Sequence, residues 1–126
     1  MIKYDKQFIL SYECIENKAH KGVLKLKILD EKLNVIKSSI LLEKKYHLSF
    51  PGLYNFNNKL YLIPEMSKSG YQSIFCLDSS FNVVEEHRII DNVNLSDPII
   101  VFHSNIYWLL ATENENQLKI WHSDNL

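Results

Sequence analysis

Glycine and proline are scarce, three of each in 126 residues, and there are only two cysteines. So few glycines leave no Gly-rich loop to cradle a phosphate and no nucleophile elbow, so nucleotide-binding and serine-hydrolase classes find no support. Cys14 and Cys76 lie in or beside strand-like runs without partnered spacing; they read as buried free thiols rather than a disulfide framework. An excess of one charge is missing too, the formal net charge being −1. Lys18, Lys21, Lys25 and Lys27 are interleaved with Glu13, Glu16, Asp30 and Glu31 as on a solvated strand face, so nucleic acid is not an expected partner. No apolar run approaches the roughly 18 to 20 residues of a membrane span, and the opening MIKYDKQF has no apolar signal core, so the expected location is cytoplasmic. Five histidines, His20, His47, His87, His103 and His122, show no zinc-type spacing, so no metal and no cofactor are assigned. Asn94-Leu95-Ser96 is a formal glycosylation acceptor that, without a secretion signal, reads as coincidence.

What the chain does have is a repeat. HLSFPGLYNFNNKLYLIPE from His47 is matched by NLSDPIIVFHSNIYWLLATE from Asn94, with Pro51 and Pro98 offset by 47. Leu60-Tyr61 aligns with Ile106-Tyr107 at an offset of 46, a difference ascribed to one residue gained or lost in a hairpin turn. Leu29-Asp30-x-x-Leu33-Asn34 recurs as Leu77-Asp78-x-x-Phe81-Asn82 at an offset of 48. A period of roughly 40 to 50 residues with strand-like content is the mark of four-stranded propeller blades, and no 3.6-residue apolar pattern favours helical repeats.

Ten strands are expected: Phe8–Tyr12, Val23–Ile28 and Val35–Leu41 in a first blade; Gly52–Phe56, Leu60–Ile63, Ser73–Leu77 and Val83–Ile90 in a second; Ile99–Phe102, Ile106–Ala111 and Leu118–Trp121 in a third. Asn57-Asn58 and Asp78-Ser79-Ser80 supply turn chemistry. The fold class is therefore all-β, a partial propeller of about two and a half antiparallel blades in one incomplete domain. Residues 1–45 lack their inner strand, 46–92 are complete, and 93–126 lack the outer strand. Blades hide their faces only by stacking, so a homo-oligomer or a partner chain that completes the ring is expected.

In a blade the first strand starts beside the end of the second, which gathers acidic residues at one rim. Asp97 precedes the third blade's first strand, Glu65 ends the second blade's second strand, and Glu13 and Glu113 hold similar places. Carboxylates there can bind sugar hydroxyls, or act as the acid and base of a glycosidase pair, roughly 5 to 10 Å apart. Phe50 fills Asp97's slot in the second blade, which excludes a catalytic set shared by every blade. His47, at the same rim, is a candidate hydrogen-bonding residue for a ligand. Tyr61 and Tyr107, read as equivalent, are assigned to interblade core rather than to sugar stacking.

The Tyr46-to-Pro51 string YHLSFP, Pro64-Glu65, Asp97-Pro98 and the closing Trp121-His122-Ser123-Asp124 resemble the N-terminal propeller domain of glucosamine inositolphosphorylceramide transferases and related bacterial proteins, over nearly the whole chain. That domain is in turn similar to the five-bladed propellers of arabinanase- and invertase-type glycosidases, by which Asp97 would be the base or transition-state stabiliser. The sequence departs from those enzymes in having no inner strand in its first blade, where they carry another essential Asp. In the transferases, glycosyl transfer is attributed to a separate domain. The resemblance implies a carbohydrate-associated, non-catalytic module with a sugar or glycan ligand at Glu65, Asp97 and His47. A glycosidase-like enzyme using Asp97 and Glu65, and a protein-assembly module, are the alternatives.

Overall fold

A computed structural model describes residues 1–16, 21–114 and 116–126, Glu16 without its side chain; Lys18, His20 and most of the loop between the first two long strands lie outside the described residues. Among the described residues, eleven strands form three antiparallel sheets. The first sheet holds β1 (Ile2–Tyr4), β2 (Gln7–Glu16), β3 (Lys21–Leu29) and β4 (Val35–Leu42). The second holds β5 (Ser49–Phe56), β6 (Lys59–Glu65), β7 (Tyr71–Leu77) and β8 (Val83–Asp91). The third holds β9 (Leu95–His103), β10 (Ile106–Glu113) and β11 (Gln117–Ser123). In each sheet the strands follow one another in chain order, the up-and-down arrangement of a propeller blade.

The sheets stack face to face in sequence. One core lies between the first two, where Ile9, Leu24, Leu26 and Ile28 meet Leu48, Leu60, Leu62 and Phe75. A second lies between the last two, where Tyr61, Ile63 and Ile74 meet Leu95, Ile100, Leu109 and Ala111. The middle sheet is thus covered on both faces, which is why β6 reads Leu-Tyr-Leu-Ile-Pro without polar alternation and is buried from Leu60 to Pro64. Strand β8, at the sheet's margin, is exposed along most of its length and carries Glu85, Glu86 and Arg88, charges that discourage pairing with a foreign edge.

Ile2–Tyr4 pairs with β2 through Tyr4↔Gln7 around a turn whose Asp5 has φ 53°, so the first sheet does have a short inner strand, one more than the ten expected. β5 and β9 also begin earlier than the prolines suggested. Phe50-Pro51 faces Pro64 alone, and Asp97-Pro98 faces Ala111 alone; each pair is a β-bulge whose first residue is left-handed, Phe50 at φ 44° and Asp97 at φ 51°. A bulge absorbs the prolines, which lack a ladder donor, without ending the strand. Asp97 therefore sits inside β9 rather than ahead of it.

The first hairpins of the second and third sheets use two-residue turns, Asn57-Asn58 and Ser104-Asn105, all four residues with positive φ. No residue is gained between them, so the register is 47 throughout and Tyr107 corresponds to Leu60, not to Tyr61, whose counterpart is Trp108. Strand alternation puts these on opposite faces: Tyr61 is buried toward the third sheet, whereas Tyr107 packs against the same core from the other side.

Candidate functional site

The ends of β2, β6 and β10 and the starts of β3, β5 and β9 share one rim of the stack. Glu13 and Glu65 hold matching positions there, each five residues beyond the partner of the last β3 or β7 residue, Phe8↔Leu29 and Leu60↔Leu77. Glu65 reaches across to the first strand of the next sheet, and Glu13 to the segment leading into it. Glu65 Oε2 accepts the backbone N–H of Asp97 at 3.1 Å, holding the left-handed residue of the bulge. Glu13 Oε1 lies 3.3 Å from His47 Nε2. His47 Nδ1 accepts the N–H of Gly22 at 2.9 Å, so the ring's proton resides on Nε2 and points to Glu13. Leu48 N–H closes this knot by donating to the Gly22 carbonyl at 3.1 Å.

The structure thus brings the predicted residues together in two pairs, Glu65 with Asp97 and Glu13 with His47. Glu113 stands apart: in the common register Thr112 is the counterpart of Glu65, and Glu113 lies 3.5 Å from Lys119 of its own sheet. Glu113, at the end of β10, falls one residue beyond the counterpart of Glu65, and strand alternation turns it to the other face of its sheet.

A groove of about 350 Å³ is lined by Ser67, Lys68, Asn94, Ser96 and Asn114, with Ser96 the neighbour of Asp97 along β9. Its lining is hydroxyls, amides and one ammonium, groups that match hydroxyl-rich ligands. Asn94 is tied down: its side-chain amide nitrogen, in the orientation that satisfies it, donates to the Ser67 carbonyl at 2.9 Å, and its backbone carbonyl accepts Asn114 N–H at 3.2 Å. Sequence reasoning missed this groove because its residues come from three connections and the start of β9; the one cue was the polar character of Asn94 and Ser96 around Leu95.

Among the aromatics, Tyr46 and Tyr71 share a 3.0 Å hydroxyl contact, and burial followed by that hydrogen bond pushes the Tyr46 phenol well up. Burial also raises Tyr54, whose hydroxyl accepts Ile100 N–H at 3.3 Å and joins the second and third sheets. Both belong to packing.

Three consecutive antiparallel sheets in up-and-down strand order, stacked face to face, define a partial β-propeller. The fold is similar to an exo-β-1,3-galactanase from Phanerochaete chrysosporium solved with β-1,3-galactotriose, at a TM-score of 0.77 and 14% identity over 97% of this chain and 31% of that one. The family described as glucosamine inositolphosphorylceramide transferase 1, N-terminal, matches residues 2–126, and the chain belongs to it. It is 30% identical over 93 residues to glucosamine inositolphosphorylceramide transferase 1 of Arabidopsis thaliana and 24% identical over 93 residues to that of Oryza sativa subsp. japonica. Each match takes in 68% of this chain but only 12% of the relative, so the chain corresponds to a small part of those transferases.

Proposed function

We propose that this chain is a non-catalytic carbohydrate-binding blade unit that holds a sugar in the rim groove between Ser67 and Asn114, with Asp97 as its charged anchor. The observation that carries this reading is the Glu65–Asp97 contact: one carboxylate of the pair is spent fixing the other's backbone at 3.1 Å, an arrangement suited to positioning a hydrogen-bonding group. Family membership and the galactanase-like fold support a carbohydrate ligand. Asp97→Asn is expected to lower binding of oligosaccharides by at least about tenfold, as loss of a charge-assisted hydrogen bond should. Ligand-observed NMR against a glycan panel checks this, and unchanged binding overturns it. Turnover of chromogenic glycosides that disappears in both Asp97→Asn and Glu65→Gln would instead establish the glycosidase-like alternative.

A second reading concerns assembly. The outer face of the third sheet leaves Ile99, Val101, Leu118 and Ile120 at 45%, 46%, 68% and 57% exposure, in register around Trp108 and Leu110. The stack's opposite face, on the first sheet, presents Phe8, Leu10 and Tyr12, with Lys3 and Lys27 over the Phe8 and Tyr12 rings. A second copy of the chain, laying that face on the third sheet, would repeat the sheet-on-sheet packing already used twice within the chain.

A further inference from the structure

Cys76, Glu85 and His87 lie away from the rim, on β7 and β8. Their thiol sulfur, carboxylate oxygen and imidazole nitrogen all fall within 4.8 Å of one another. The pairing explains the convergence. Cys76 sits directly across from Glu85, and His87, opposite Ile74, is two residues along, so strand alternation turns all three side chains to the same face. His87 Nε2 is already 3.2 Å from Glu85 Oε2. In a tetrahedral zinc site with bonds of about 2.0 to 2.3 Å, neighbouring ligand atoms are roughly 3.3 to 3.6 Å apart. The nitrogen–oxygen edge thus has the required length, and the sulfur needs only a rotamer adjustment of a half-buried side chain.

We propose that Cys76, Glu85 and His87 form a three-ligand site for a borderline-soft divalent metal, zinc or cobalt, with the fourth corner open to water or an external ligand. Thiolate, imidazole and carboxylate together select such ions over magnesium or calcium. Binding replaces the thiol S–H bond with a sulfur–metal bond and releases the proton to solvent. Glu85 and His87 side chains are 61% and 49% exposed, so the ion has a path in and the ligands can be changed without opening the core.

Cobalt(II) titration of the full chain, followed by absorption, tests this. The expected result is saturation near about one equivalent, with a thiolate-to-cobalt charge-transfer band and tetrahedral d–d transitions. Cys76→Ser should abolish that band, His87→Gln should weaken binding by at least about tenfold, and Cys14→Ser, at the other free thiol, should leave both unchanged. Circular dichroism establishes that each variant is folded. Absence of saturable binding, a spectrum without the sulfur band, or a band lost in Cys14→Ser rather than in Cys76→Ser overturns the assignment.

Discussion

Gly22 is boxed in by the next sheet. A Cβ there would collide with the Leu48 carbonyl and stand 2.8 Å from Glu13 Oε1 and 2.9 Å from His47 Cε1. The requirement is close approach of two backbones, not unusual dihedral freedom. Gly22→Ala is therefore expected to destabilise by about 1 to 3 kcal/mol, as overpacking does, and to break the His47–Gly22 bond, which urea unfolding and the His47 ring NMR signals would report. Gln72 makes a second single-residue case. Fully buried, it donates from Nε2 to the carbonyls of Pro64 and Ser73, each at 3.0 Å, where Pro64 interrupts the β6–β7 ladder. Gln72→Leu should cost about 1 to 3 kcal/mol because the Pro64 carbonyl loses a buried partner, again checked by urea unfolding. Nothing in the linear sequence marks either residue, since each owes its role to a neighbour on a different strand.

At the scale of the element, the two β-turns that end β3 and β7 are copies down to the atom. Asp30 Oδ1 accepts the N–H groups of Lys32 and Asn34 at 2.9 and 2.8 Å, and Asp78 Oδ1 accepts those of Ser80 and Asn82 at the same two distances. Hydrogen bonds from Asn34 in one turn and Asn82 in the other hold both carboxyls below the ordinary Asp range. A depressed folded-state pKa means that the turns' contribution is present above the unfolded value of about 3.9 and is lost as pH falls through the lower folded values. Asn82→Ala should move Asp78 back toward its ordinary value while leaving Asp30 unmoved, as a carboxyl-carbon NMR titration would show. These turns were legible in the sequence because Asp-x-x-x-Asn makes all its bonds within five residues. The bulges at Phe50 and Asp97 were not, because a left-handed residue before proline becomes visible only once the facing strand is counted.

At the scale of the whole molecule, stability comes from the two inter-sheet cores. Tyr61, buried between the second and third sheets, tests one of them: Tyr61→Ala is expected to cost about 3 to 5 kcal/mol in thermal or urea unfolding. Assembly through the open faces is tested by light scattering over a concentration series. Self-association expected of the native chain should be lost in Ile120→Lys, which places a charge on the exposed outer face of β11, and a native chain that stays monomeric refutes the second-copy reading.

The sequence by itself determined the all-β class, the period near 47 and the identity of the rim carboxylates Glu65 and Asp97, because repeats, strand propensity and turn residues are local properties that each segment carries with it. Only the tertiary structure decided that Glu65 grips the backbone of Asp97, that His47 is held between Gly22 and Glu13, that Glu113 belongs to a different contact, and that Cys76 meets Glu85 and His87. Those outcomes depend on register, and a shift of one residue turns a side chain to the opposite face of its sheet.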